Sequence, residues 1–223
     1  MNTQSSYIRS EQNSSFLSNN NFTFTIITIG NSSVGKTSII NRLVNKSFNE
    51  TVKPTIGVSD YLYTVSVDDK TANLKFFDTC GHEKYKSLTK QYFQIANGIL
   101  VVFDLTDKKS FNALKDWFND IENNCDPDKV KEIIVLGNKL DDNENRKVRE
   151  KAVREMLTYY NCTHYYETSA KTGKGVESAI KTLAWKLIEK SENINDFSKS
   201  NEQRKRRHSI DSQGINTKKK KII

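Results

Sequence analysis

Gly30-Asn31-Ser32-Ser33-Val34-Gly35-Lys36-Thr37 sets two glycines, a lysine and a hydroxyl at the spacing G-x-x-x-x-G-K-[ST]. Glycines there let the backbone curl so that successive N–H groups aim at phosphate oxygens, and a helix opening at Ser38 adds its partial positive charge. Lys36 is then placed to bridge a β- and a γ-phosphate, and the Thr37 hydroxyl to ligate Mg²⁺. The plainer alternative is a strand–helix turn with an ordinary lysine. A chance match in 223 residues is on the order of 1%.

Asp78, in Asp78-Thr79-Cys80-Gly81, follows an apolar run and faces the crevice where open α/β sheets bind ligands. Its expected task is to hold Mg²⁺ through water, because that hard ion keeps part of its hydration shell. Alone, this run is equally a strand-ending turn. Asn138-Lys139-Leu140-Asp141 follows another apolar run. The Asp141 carboxylate can accept from both N1–H and the exocyclic amine of guanine; adenine offers neither donor and would leave the carboxylate unpaired. Asn138 is expected to tie neighbouring loops and approach N7, the Lys139 stem to cover a base face, and Ser169-Ala170-Lys171 to supply a backbone N–H for O6. A bare Asn-Lys-x-Asp is often only a polar turn. Four such motifs in series, each after a strand, leave that alternative little room.

The elements that must position these groups are legible as alternating β-rich and helical runs. Strands are expected at Phe22–Ile29, Tyr61–Val67, Leu74–Phe77, Ile99–Asp104, Ile133–Leu136 and His164–Glu167, and a helix at Ser38–Val44. Too few residues separate the second and third strands for a crossover helix, so they predict an antiparallel hairpin at the edge of a parallel sheet. Val176, Ile180, Leu183, Ala184, Leu187 and Ile188 form one helical stripe; Phe111, Leu114, Phe118 and Ile121 form another. Residues 1–21, with six Ser and five Asn, and residues 191–223 are expected to be disordered arms around a domain at 22–190.

The net charge of +8 is unevenly placed: residues 199–223 hold nine Lys/Arg against two Asp/Glu, leaving the rest near neutral. No apolar run reaches the ~18 residues of a membrane span, and the amino end has no secretory pattern. Cys80, Cys125 and Cys162 are odd in number and form no CxxC, which favours reduced thiols over a disulfide or zinc framework. Asn2 and the distance of Cys162 from the carboxyl end are read against myristoylation and prenylation. The expectation is a soluble, cytoplasmic chain.

The four motifs, in this order, resemble the Ras superfamily of small GTPases, and Thr55-Ile56-Gly57-Val58, Tyr85-Lys86-Ser87-Leu88-Thr89 and Tyr92-Phe93 look like its Rab branch. The resemblance implies a P-loop NTPase small G domain: α/β, six strands with one antiparallel edge strand, and five flanking helices. It implies GTP/GDP and Mg²⁺ as cofactors, and Thr37, Thr55 and Asp78 as metal-side residues. It also implies that Phe48 stacks edgewise on guanine, with an ordinary core aromatic as the alternative. The Gly81 amide would contact the γ-phosphate, and effectors, an exchange factor and an activating protein would meet segments 51–58 and 81–92 of a monomer. Lys36, Thr55 and His82 are the residues expected to bear on hydrolysis.

Three departures stand out. His82 occupies the place of the glutamine that orients the attacking water; its ring both accepts and donates only in one neutral tautomer, so slow hydrolysis is expected. Cys80 adds bulk where the loop must pivot. The prenylated carboxyl-terminal cysteines are missing, while Arg204–Arg207 and Lys218–Lys221, ten residues apart, offer two readings. One is weak contact with an anionic membrane surface at about 1 kcal/mol per charge; the other is a two-part nuclear import signal. A merely solubilising tail is a third, and phosphorylation at Ser209 would weaken either contact. Vesicle-mediated transport is thus the leading functional expectation. Its rivals are a nucleotide-loaded, nearly hydrolysis-dead interaction module and, more remotely, nucleic-acid binding through the tail.

Overall fold

Along the central strands, neighbouring apolar side chains point to opposite faces, and each face is covered by helices. The computed structural model describes residues 21–51, 53–81, 86–126, 128–129 and 132–194. The expected arms therefore lie outside the described residues, apart from Asn21 and residues 191–194. The elements run β1 (Asn21–Ile29), α1 (Lys36–Asn45), β2 (Val58–Val67), β3 (Lys70–Thr79), α2 (Lys86–Phe93), β4 (Gly98–Asp104), α3 (Lys108–Asn112), α4 (Leu114–Asn124), β5 (Glu132–Asn138), α5 (Glu150–Tyr159) and β6 (His164–Glu167). A last helix, α6, covers 176–194.

The six strands lie in the order β2-β3-β1-β4-β5-β6, with β2 antiparallel to β3 and every other pairing parallel. This is the expected mixed sheet with its antiparallel edge. Ile26, Leu100, Val102, Ile134 and Leu136 pack with Ile39, Ile40 and Leu43 of α1 and with the whole expected α6 stripe. Ile27, Ile29, Ile99, Val101, Phe103 and Val135 face the other way, onto Phe93, the Phe111–Ile121 stripe and Val153 and Leu157 of α5. The period-two alternation divides one apolar sheet between two helical layers.

The structure differs from expectation at several boundaries. β2 and β3 are ten residues each, paired from Val58↔Thr79 to Val67↔Lys70. Their ends are polar (Ser59, Asp60, Lys70, Thr71), and ladder bonds rather than apolar pattern extend them. Ala113 divides the expected helix into α3 and α4; Asp107 caps α3 by accepting from Lys109 N at 2.9 Å and Ser110 N at 3.2 Å. α6 continues to 194, and near its end Glu192 Oε2 meets Lys70 Nζ, at the start of β3, at 2.6 Å. Among the described residues no helix is long and apolar enough to cross a membrane.

Near the carboxyl end of β6, Arg146 clamps Glu167 with two guanidinium nitrogens, Nη1 to Oε2 at 2.9 Å and Nη2 to Oε1. Tyr165 OH donates to Oε1 at 3.0 Å. Burial pushes the Glu167 carboxyl up, but the Arg146 and Tyr165 hydrogen bonds and the Arg146 and Arg154 charges outweigh it and hold its pKa below the ordinary 4.5. A lowered folded-state pKa stabilises the fold fully above the unfolded value and ceases to do so as the pH falls through the folded value. Thermal unfolding followed from pH 7 to pH 3 is therefore expected to show a loss below about pH 4.5 that is smaller in Glu167→Gln. Parallel pH profiles for the two proteins would contradict this.

Candidate functional site

Four loops leave the carboxyl ends of β1, β3, β5 and β6 and meet over the sheet, beside the point where the chain turns to α1 on one face and α3–α4 on the other. Together with the segment between α1 and β2 they line a cavity of about 620 Å³, ample for a nucleotide-sized ligand. Of the expected residues, Ser32, Ser33, Gly35, Lys36, Thr37, Ser38, Phe48, Thr55, Gly81, Asn138, Lys139, Asp141, Ala170 and Lys171 line it. Gly30, Asn31, Val34, Asp78 and Ser169 stand behind the lining. His82 lies outside the described residues, as do residues 52 and 83–85 of the two expected switch segments.

At the phosphate-loop end, Gly30 has φ 139, and a Cβ there would collide with the Val102 carbonyl of β4. A loop this close to the neighbouring strand admits only glycine. Lys36 is 6% exposed and donates from Nζ to the carbonyls of Gly30 at 2.9 Å and Asn31 at 2.8 Å. Burial lowers its pKa to about 8 against the opposing pull of Asp78. A Cβ on Gly81 would strike the Asn31 carbonyl and the Lys36 amine, so the strand-end loop rests against both.

Thr37, Thr55 and Asp78 converge. Thr37 Oγ1 donates to Asp78 Oδ2 at 2.6 Å and lies 2.9 Å from Thr55 Oγ1, and Thr55 Oγ1 is 3.3 Å from the same carboxylate oxygen. Asp78 has no solvent exposure, and its Oδ1 has no hydrogen-bond partner among the described residues. Burial raises its pKa, while the Thr37 bond, Lys36 and the Thr55 bond pull it down. One carboxylate and two hydroxyls form an oxygen donor set suited to a hard divalent ion that retains water or phosphate ligands. No cluster of three His, Cys, Asp or Glu able to hold a metal exists among the described residues. The residues present therefore fit Mg²⁺ and do not form an all-protein metal cage.

At the other end Asn138, the last residue of β5, ties three loops. Its Nδ2 donates to Val34 O at 2.9 Å, and its Oδ1 accepts from Ala170 N at 3.1 Å and Thr168 Oγ1 at 3.4 Å. The tie expected from sequence is present, and the Ala170 N–H is engaged in it. Asp141 Oδ1 accepts from the Ser169 hydroxyl, and Lys139 Nζ pairs with Asp104 Oδ2 at 2.6 Å. Phe48 packs against the α1-side core and lines the cavity.

Sequence reasoning missed the braces. Arg42 of α1 donates to Ala170 O at 2.8 Å and Lys171 O at 2.6 Å, and Lys171 Nζ reaches Glu50 at 2.9 Å. Trp117 Nε1 donates to Asn31 Oδ1 at 2.8 Å. These partners lie 86 to 129 positions apart and leave no local pattern to read.

The model of the Ras family matches residues 25–189. Ras-related protein Rab-13 of Canis lupus familiaris is 38% identical over 169 residues, which cover 75% of this chain and 81% of that protein. Ras-related protein Rab-8B of Homo sapiens is 36% identical over 169 residues, 76% of this chain and 80% of its own. Ras-related protein Rab-8 of Diplobatis ommata is 37% identical, with 76% and 79% covered. Family match and cavity agree, and the chain belongs to the Ras family as a Rab-type small GTPase, a GTP hydrolase that binds GTP and GDP with Mg²⁺.

Proposed function

We propose that the chain is a slow nucleotide switch in vesicle-mediated intracellular transport, presenting residues 51–58 and 81–92 to effectors, an exchange factor and an activating protein. The carrying observation is the convergence of the Thr37 and Thr55 hydroxyls on the buried Asp78 carboxylate at one end of a cavity whose other end holds Asp141. Lys36 supplies an ammonium to the β- and γ-phosphate oxygens, which return the charge stabilisation that burial removes. Thr37, Thr55 and Asp78 would hold a magnesium ion, which when bound would supply charge neutralisation beside those oxygens. Thr55 reaches this cluster from a segment without regular structure, so loss of the terminal phosphate frees it to move.

At the base end, Asp141 accepts two guanine N–H groups, held by the Ser169 hydroxyl; Phe48 and the Lys139 stem cover the ring. His82 in the water-orienting position underlies the slow rate. The basic clusters at 204–207 and 218–221 support weak contact with an anionic membrane, and their spacing favours nuclear import as a second reading. Unchanged cell distribution after deletion of residues 199–223 would remove both.

Calorimetric titration of the purified protein is expected to find tight GDP and GTP binding with Mg²⁺ and none of comparable strength for ATP. Asp141→Ala should weaken GDP binding by roughly 100-fold or more. Equal affinity for ATP, or an unaffected Asp141→Ala protein, contradicts the base assignment. In single-turnover hydrolysis, His82→Gln is expected to be faster by about tenfold or more; an unchanged or lower rate refutes the role given to His82.

A further inference from the structure

We propose that Trp117 is a positioning residue for the nucleotide site, fixing the phosphate loop through the side chain of Asn31. The inference rests on the reading of residues 30–37 as the phosphate-binding element. Trp117 is on α4, 5% exposed and packed in the apolar layer with Phe111, Leu114 and Phe118. A buried indole needs an acceptor for its N–H. Here that acceptor is Asn31 Oδ1, 2.8 Å away and 86 positions earlier in the chain.

Asn31 is held at three points. Its carboxamide is tied to α4, its carbonyl takes the Lys36 ammonium at 2.8 Å, and Gly81 lies so close that a Cβ there would strike that carbonyl. The side-chain bond therefore limits rotation of the peptide that carries a Lys36 acceptor and supports the start of the second switch segment. Asn138 braces the same loop from the opposite side through Val34 O. The loop is thus pinned at one end by β5 and at the other by α4. α4 also reaches the end of the α2 segment, because Asn124 O accepts from Gln94 Nε2. One helix is consequently bonded both to the loop that grips phosphate and to the segment that follows the second switch.

Trp117→Phe keeps most of the apolar packing and removes the donor. Release of a fluorescent GDP analogue is measured for wild type, Trp117→Phe, Asn31→Ala and the double variant. Nitrogen-edited NMR of the indole N–H signals of the two tryptophans is recorded in parallel. Trp117→Phe is expected to speed release about five- to tenfold, the scale of one buried hydrogen bond, and to add no further increase in the Asn31→Ala background. The Trp117 indole signal is expected to shift on exchanging GDP for a non-hydrolysable GTP analogue, while that of Trp185, on α6 and 42% exposed, stays in place. A purely structural Trp117 would lower the melting temperature equally in both backgrounds and leave its indole signal blind to the nucleotide. Equal acceleration in both backgrounds, or none, overturns the proposal while leaving the nucleotide reading intact. A wild-type protein that binds no guanine nucleotide overturns both.

Discussion

Asp78 imposes the condition around which the site is arranged. Its carboxylate is sealed from solvent at the end of β3, in register with Thr28 of β1 on one side and Ser59 of β2 on the other. One oxygen is satisfied by two threonine hydroxyls and the other by none of the described residues. Burying a carboxylate with incomplete partners costs several kcal/mol unless a cation or proton compensates. The ammonium that acts on it, Lys36, is itself buried and committed to two loop carbonyls. Both groups gain from the same addition: a divalent ion beside Asp78 and phosphate oxygens beside Lys36. A magnesium nucleotide brings both at once, and its binding energy offsets the strain of keeping two such groups dry.

The sheet sets how far this end lies from the base end. Parallel pairing of β1 with β3 and β4, and of β5 with β4 and β6, delivers all four loops to one edge. Cross-ties then remove the freedom that loops usually have: Asn138 joins the phosphate loop to the base loops, Arg42 fixes the carbonyls of Ala170 and Lys171, and Lys139 is anchored on Asp104. The one cluster member without such a frame is Thr55, delivered by an irregular segment whose next glycine accepts from Cys80 N at 3.0 Å. A braced cradle with one contributor on an irregular segment is the physical form a switch requires.

Much of this is legible in the chain because local rules carry it. The phosphate loop is contiguous, the α6 stripe has a clean 3.6 period, and the bounds of β6 are recovered at both ends. The polar ends of β2 and β3 escaped because alternation fails there while cross-strand bonding continues. Asn138 reads as a turn residue yet is the last residue of β5, since only the sheet register shows where the strand stops. The Trp117–Asn31 and Arg42–Ala170 bonds belong to the packed layers, and no spacing rule anticipates a partner 86 or 128 residues away.

The dependence of GDP release on magnesium tests this account most directly. Chelating the ion with EDTA is predicted to accelerate release from the wild-type protein by about tenfold or more, and an Asp78→Ala protein should release GDP rapidly whether or not the ion is present. Release that ignores chelation, or an Asp78→Ala protein that retains GDP as firmly as wild type, would contradict it.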